Sequence, residues 1–318
     1  MNENTTPEKI VDESINELLN DEINIENATE IATEDTEDSI YFSNGIELTL
    51  QKTYDLTSSC DTRFIYLLGP VNCGKTTIET TLYQLFHYGT LGEYYFAGSN
   101  TLDAYEQRAF ATRINSNASV PVTPRTPVTP EVIFLHLKLW KATQNKFINN
   151  LYADISGEIF ESTIGNVDLI KVNFPYLKDA DVIVNVLDIS MVIDKSQRRG
   201  AIENLKHQIR TILEANLFNA KTQFQVVFSK YDLITNEAKN FLEEQKKMLE
   251  SIFNGICLKF YEVAAMPVSE EKFNVGYGLK ELLASWNAMQ DYRPKNSSIE
   301  VSAPMNQLGK RLLGVSYE

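Results

Sequence analysis

The sequence predicts an α/β protein, a doubly wound and mostly parallel sheet with helices on both faces. Three observations predict it. The apolar run RFIYLL (Arg63 to Leu68) passes through the glycine-rich GPVNCGKTT (residues 69–77) into a helical pattern, TTIETTLYQLF (Thr76 to Phe86). From Asp181 onward, short apolar runs alternate with amphipathic stretches of helical length. Between these lie two strand-like runs separated only by the polar KATQN, which read as a hairpin.

Taken in order, residues 1–45 hold 13 Asp or Glu against one Lys, so nearly all of the net charge of −14 lies there. A weak apolar period at Ile10, Val11, Ile15, Leu18 and Leu19 leaves two readings, a disordered solubilising arm and a short helix that docks a partner. A domain over residues 46–292 follows, then a weakly patterned tail over 293–318. Within the domain, Thr90 to Pro130 shows no clean period and contains PVTPRTPVTP, a loop of the length that usually carries function. The hairpin strands are Val132 to Trp140 and Lys146 to Ile155. Strands then fall at Asp181 to Ser190, Gln223 to Ser229 and Lys259 to Ala264. Helices fall at Ser196 to Glu214, Asn236 to Phe253 and Leu279 to Met289.

Composition narrows the function classes. A chain of 318 residues with 43% hydrophobic content can bury one large core. Outside the acidic start the charge is nearly balanced and Lys and Arg are not clustered, which argues against nucleic-acid binding. Cys60, Cys73 and Cys257 are odd in number and widely spaced, suggesting neither a disulfide framework nor a zinc site, and a cytoplasmic protein is expected. The start lacks the pattern of a signal peptide, and no apolar run reaches the length of a membrane span.

The chemistry begins at GxxxxGKT. Gly69 and Gly74 permit backbone turns that side chains would block, so the N–H groups of Asn72, Cys73, Gly74, Lys75, Thr76 and Thr77 can face a phosphate at the positive end of the helix. Lys75 would neutralise the β- and γ-phosphates, and the Thr76 hydroxyl would ligate Mg²⁺. In DISGE, Asp154 would hold Mg²⁺ through a water and the Gly157 N–H would touch the γ-phosphate. In SKYD (Ser229 to Asp232), the Asp232 carboxylate suits the N1–H and amino group of guanine while the Lys230 stem lies along the base. Adenine has no matching donor pair and would leave that carboxylate desolvated and unpaired. Ala264 and Ala265, in VAAM, are small enough to bring a backbone N–H to guanine O6. All four motifs end predicted strands, in the order that selects GTP.

These motifs make residues 60–290 resemble a Ras-like P-loop small GTPase of the TRAFAC class. Tyr94 to Arg108, the Pro/Thr-rich loop and DISGE are similar to a bacterial group, the double-GTPases of conflict-related gene clusters. The resemblance implies a six-stranded sheet with one antiparallel strand, GTP/GDP with Mg²⁺, and a switch that engages a protein effector or regulator. It also implies a first-switch threonine on Mg²⁺; Thr126 is favoured, then Thr129, then Thr123. Glu158 stands where Ras-like proteins carry the glutamine that orients water, so slow hydrolysis is expected because its charge opposes that of the γ-phosphate. Asn72 matches a position that holds potassium in GTPases resembling the tRNA-modifying family, although a hydrogen bond within its own loop is the favoured reading. Val71 adds bulk that would obstruct an arginine supplied in trans. Ser229 replaces the usual Asn or Thr, a shorter link to the phosphate loop. His87, His136 and His207 read as structural. Two other functions stay open, a GTP-binding interaction module with little turnover and an ATP-using P-loop NTPase.

Overall fold

The structure is a computed structural model that describes residues 44–110, 132–269 and 271–288. The expected C-terminal tail lies outside these residues, as does the acidic extension apart from Asn44 and Gly45.

Eight strands form one sheet: β1 (Leu48–Thr49), β2 (Asp61–Leu68), β3 (Tyr94–Gly98), β4 (Ile133–Lys141), β5 (Lys146–Asp154), β6 (Val182–Asp188), β7 (Gln223–Ser229) and β8 (Leu258–Glu262). Their order is β1-β4-β5-β2-β6-β7-β8, with β3 also on β4. β2 pairs in parallel with β5 and β6, as β7 does with β6 and β8. The hairpin β4–β5 is antiparallel, as predicted, with Ile133 opposite Asp154 and Lys141 opposite Lys146.

One expectation is corrected and one holds. The sheet has eight strands among the described residues rather than six, and β4 is its one antiparallel strand, since it takes part in all three antiparallel pairings, with β1, β3 and β5. Both extra strands are hard to see in sequence for a physical reason. β1 is two residues long, and β3 leaves Tyr95 and Phe96 exposed, so neither shows the apolar run of a buried strand.

The helices are α1 (Leu50–Ser59), α2 (Lys75–Leu85), α3 (Leu102–Phe110), α4 (Gly157–Thr163), α5 (Val167–Asn173), α6 (Ile189–Ile193), α7 (Arg198–Glu214), α8 (Asn236–Ile252) and α9 (Leu279–Asn287). Alternation along β2 sorts them. Tyr66 and Leu68 join one core with Ile202, Leu205 and Ile209 of α7 and Leu242 and Leu249 of α8. Ile65 and Leu67 join the other, with Ile78 and Leu82 of α2, Tyr105 of α3 and Leu282, Leu283 and Trp286 of α9. Helices therefore cover both faces, as a doubly wound sheet requires. Each fully buried apolar side chain contributes roughly 1.5–3 kcal/mol. Trp286 does more than fill space, because its Nε1–H donates to Gln225 Oε1 at 3.0 Å and satisfies a buried amide of β7. Among the described residues, no helix is long and apolar enough to cross a membrane.

Candidate functional site

The ends of β2, β5, β6 and β7 bring the predicted residues to one edge of the sheet. After β2 the chain turns through Gly69 (φ 153°), Asn72 (φ 63°) and Gly74 (φ 97°) into α2. A Cβ on Gly69 would meet the Val186 carbonyl oxygen at 2.8 Å and Cys73 Sγ at 2.9 Å, so only glycine fits. Gly74 is the N-cap of α2 and supplies no side-chain cap. By contrast, α5 and α8 are capped by Asn166 Oδ1 and Thr235 Oγ1, which accept from Leu169 N and Ala238 N. Leaving this helix N-terminus without a side-chain cap is what an anion site needs.

Lys75 is nearly buried, and its Nζ donates to the carbonyls of Gly69 at 2.8 Å and Pro70 at 3.0 Å, which centres the ammonium in the loop. The Cys73 side chain points into the core, where burial pushes its thiol pKa up, so only the backbone of Cys73 can serve a phosphate. Asn72 is exposed in the left-handed region that asparagine tolerates.

Gly157 opens α4 against this loop. A Cβ there would lie 2.7 Å from Val71 N, 2.9 Å from the Pro70 carbonyl carbon and 3.1 Å from Lys75 Nζ. The absence of a side chain lets the second-switch backbone reach the phosphate loop. Glu158, one residue on, is exposed in the first turn of α4.

The base side is built from loops after β7 and β8. Ser229 Oγ donates to the Cys73 carbonyl at 2.6 Å across 156 residues of sequence, so the short side chain does close the link to the phosphate loop. A Cβ on Gly74 would sit 3.6 Å from Ser229 Cβ, an ordinary contact, so it is the φ of 97° and not crowding that calls for glycine there. Gly74, Thr77, Ser229, Lys230, Asp232 and Ala265 line one cavity of about 180 Å³, with Ile78, Val263 and Met266 as apolar walls. Asp232 Oδ2 accepts from Val268 N at 3.0 Å, which orients the carboxylate and leaves lone pairs for a base edge. Ala264 does not line the cavity. It is fully buried and its N–H is committed to the Tyr277 carbonyl at 3.1 Å, so of the two alanines only Ala265 faces a ligand.

Three participants were missed from sequence. Asp188, the last residue of β6, binds Lys230 Nζ through Oδ2 at 2.5 Å and holds the lysine stem along the cavity wall. Its signal was its position at the end of a buried strand. Arg108 of α3 is buried and donates from Nη2 and Nε to Asp154 Oδ2, at 2.8 and 3.2 Å, and from Nη1 to Glu47 Oε1 at 2.8 Å. Burial opposes charge on both outer partners of this set. For Arg108, Asp154 and Glu47 outweigh it, and for Glu47 a bond to its own backbone together with Arg108 does. Glu79, one turn into α2, is buried, and burial followed by the Asp154 charge raises its pKa well above the ordinary carboxyl value.

His136 is structural, as expected. Burial lowers its pKa to about 4. Nδ1 accepts from Asn100 N and Nε2–H donates to Asn149 Oδ1, both at 3.0 Å, which pins the turn between β3 and α3.

Thr126, Thr129 and Thr123 lie outside the described residues. Thr76 at the start of α2 and Asp154 at the end of β5 supply a hydroxyl and a carboxylate beside the phosphate loop, a hard oxygen set of the kind Mg²⁺ prefers. Among the described residues, no cluster of three or more His, Cys, Asp or Glu could hold a metal ion.

The family model Double-GTPase 2 matches residues 63–287, more than half of the chain. A comparison with curated proteins finds no match. Among solved structures, the chain is similar to a bacterial selenocysteine-specific elongation factor, EF-Sec, at 14% identity and a TM-score of 0.39, over 72% of this chain and 28% of that one. It is also similar to the translation elongation factor SelB from Methanococcus maripaludis, in complex with the GTP analogue GppNHp, at 16% identity and a TM-score of 0.36, over 72% of this chain and 34% of that one. The chain spans about a third or less of the length of either structure.

Proposed function

The chain belongs to the Double-GTPase 2 family, and from that premise we propose that it binds GTP with Mg²⁺ and hydrolyses it slowly to GDP and phosphate. In this reading it acts in the cytoplasm as a switch toward a protein effector or regulator, within a bacterial conflict system. The observation that carries the GTP assignment is the single cavity that joins Gly74 and Thr77 of the phosphate loop to Asp232 and Ala265. Asp232 accepts from guanine, the Lys230 stem covers one face of the base, and the N–H of Ala265 reaches O6. Gly69 to Thr77 cradle the phosphates, with Lys75 against the β- and γ-oxygens. Thr76 and Asp154 would hold Mg²⁺, directly and through water, with Thr126 as the third protein group. When bound, the ion neutralises charge that develops on the transferred phosphoryl group.

Glu158 supports slow turnover, since a carboxylate at the water-orienting position adds negative charge beside the phosphate. The same residue favours the second reading, a GTP-binding module with little turnover. Single-turnover phosphate release from purified protein separates the two, and a rate well above roughly 10⁻⁴ s⁻¹ would remove slow hydrolysis from the proposal. Asn72 keeps a potassium requirement within it, and equal rates in potassium and sodium buffers would delete that part. For base choice, GTP and ATP affinities are compared. Tighter ATP binding would overturn the assignment in favour of another P-loop NTPase.

A further inference from the structure

We infer that Arg108 is a positioning residue for the Mg²⁺ site, an inference that rests on the GTPase reading above. Its hydrogen bonds run to Asp154, Glu47 and the Ala104 carbonyl. It acts through Asp154.

Three features carry this. Arg108 and Asp154 are both nearly buried, so their contact is poorly screened by solvent. Two guanidinium N–H groups converge on the same oxygen, Oδ2, which anchors that end of the carboxylate. The guanidinium is itself held, because Nη1 donates both to Glu47 Oε1 at 2.8 Å and to the Ala104 carbonyl at 3.2 Å. A carboxylate that holds a metal through water depends on its orientation, and outer partners of this kind typically govern about 10- to 100-fold in metal affinity. The arrangement is built from α3 and from the residue before β1, so these elements help to set the geometry of a site they do not enter.

The experiment measures the Mg²⁺ concentration at which the full-length protein half-maximally retains a fluorescent, non-hydrolysable GTP analogue, read by anisotropy, with thermal unfolding recorded for each variant. Arg108→Ala should raise that midpoint by about 10-fold or more. Arg108→Lys keeps the charge but lacks the planar fork, so it should recover only part of the shift. In an Asp154→Asn background, Arg108→Ala should add almost nothing, since the residue acts through that carboxylate. A midpoint for Arg108→Ala that is unchanged or lower overturns the inference, the lower value marking Arg108 as a cation that competes with Mg²⁺. If Arg108→Ala does not fold, Arg108→Lys decides alone: a raised midpoint supports the inference and an unchanged one overturns it. Wild-type protein that shows no Mg²⁺-dependent retention overturns the GTPase reading and this inference together. Mg²⁺-dependent wild type with indifferent Arg108 variants overturns only the inference.

Discussion

The base side and the metal side of this site meet at Gly74 but are built in opposite ways. On the base side, loops after two neighbouring parallel strands are stitched by backbone bonds, Val263 N to the Phe228 carbonyl at 2.9 Å and Tyr231 N to the Val263 carbonyl at 3.1 Å. On the metal side, Asp154 is held by Arg108 of α3, which is held in turn by Glu47 in the segment before β1. The base side holds its shape through main chain, and the metal side through ionised side chains whose partners are far apart in sequence. Geometry of the first kind is set by fold and sterics. That of the second kind answers to pH and to single charges.

The largest expected effect tests the base side. Asp232→Ala should weaken GTP binding on the order of 100-fold, because hydrogen bonds to a charged group contribute about 1.5–3 kcal/mol each. ATP binding should hardly change. Isothermal titration with both nucleotides checks this, and an equal loss for both would mean that Asp232 does not read the base.

Next comes a pH effect at His136 of β4, whose ring bonds Asn100, ahead of α3, and Asn149 of β5. His136 has a folded pKa of about 4, below the ordinary value of 6.5. Between those values the unfolded chain binds the extra proton, so stability should fall as pH drops from 6.5 toward 4, by an amount approaching 2–3 kcal/mol. His136→Gln should flatten that slope in urea unfolding at several pH values. A wild-type slope that persists unchanged in the variant would remove the assignment to His136.

Gly278→Ala should cost about 2 kcal/mol or more of stability. It has φ 78°, and a Cβ would fall 2.0 Å from the Glu262 carbonyl oxygen. The damage should appear in the denaturant midpoint with no pH dependence, as the contrast between the two sides requires. A midpoint equal to wild type would show that the backbone stitching tolerates what sterics say it should not.

The smallest effect has the opposite sign. Glu79 has a raised folded pKa, so its contribution is complete below about pH 4.5 and is lost as pH rises. Glu79→Gln should therefore stabilise the protein at pH 7 to 8. Below pH 4.5 the two proteins should match, and a variant less stable at pH 8 would show that ionised Glu79 has a use in the fold.

The same division governs what the sequence discloses. β7 was read end to end because nearly every residue of Gln223–Ser229 is buried, which leaves a largely apolar run, broken only at Gln225, with the SKYD loop at its end. The phosphate loop was legible for a related reason, since its requirements are local and fall on adjacent residues. β3 and α3 were not legible. β3 exposes two aromatic residues, and α3 is a nine-residue helix whose buried residues include Arg108, a type that signals surface. Ala104, Tyr105, Arg108 and Ala109 do lie at helical spacing, and that period was the available clue. The tie from Arg108 to Asp154 spans 46 positions and leaves no mark in either local pattern.

The bond from Ser229 to Cys73 has a consequence for the order of events as the chain is made. It closes the cavity across 156 positions, and the next strand and its loop to Val268 must also be present. Contacts so distant along the chain form late. Under the GTP reading, a ribosome that has delivered only the phosphate loop and hairpin has made a peptide without the parts that would tell one purine from another, and selective loading would wait for nearly the last strand to emerge.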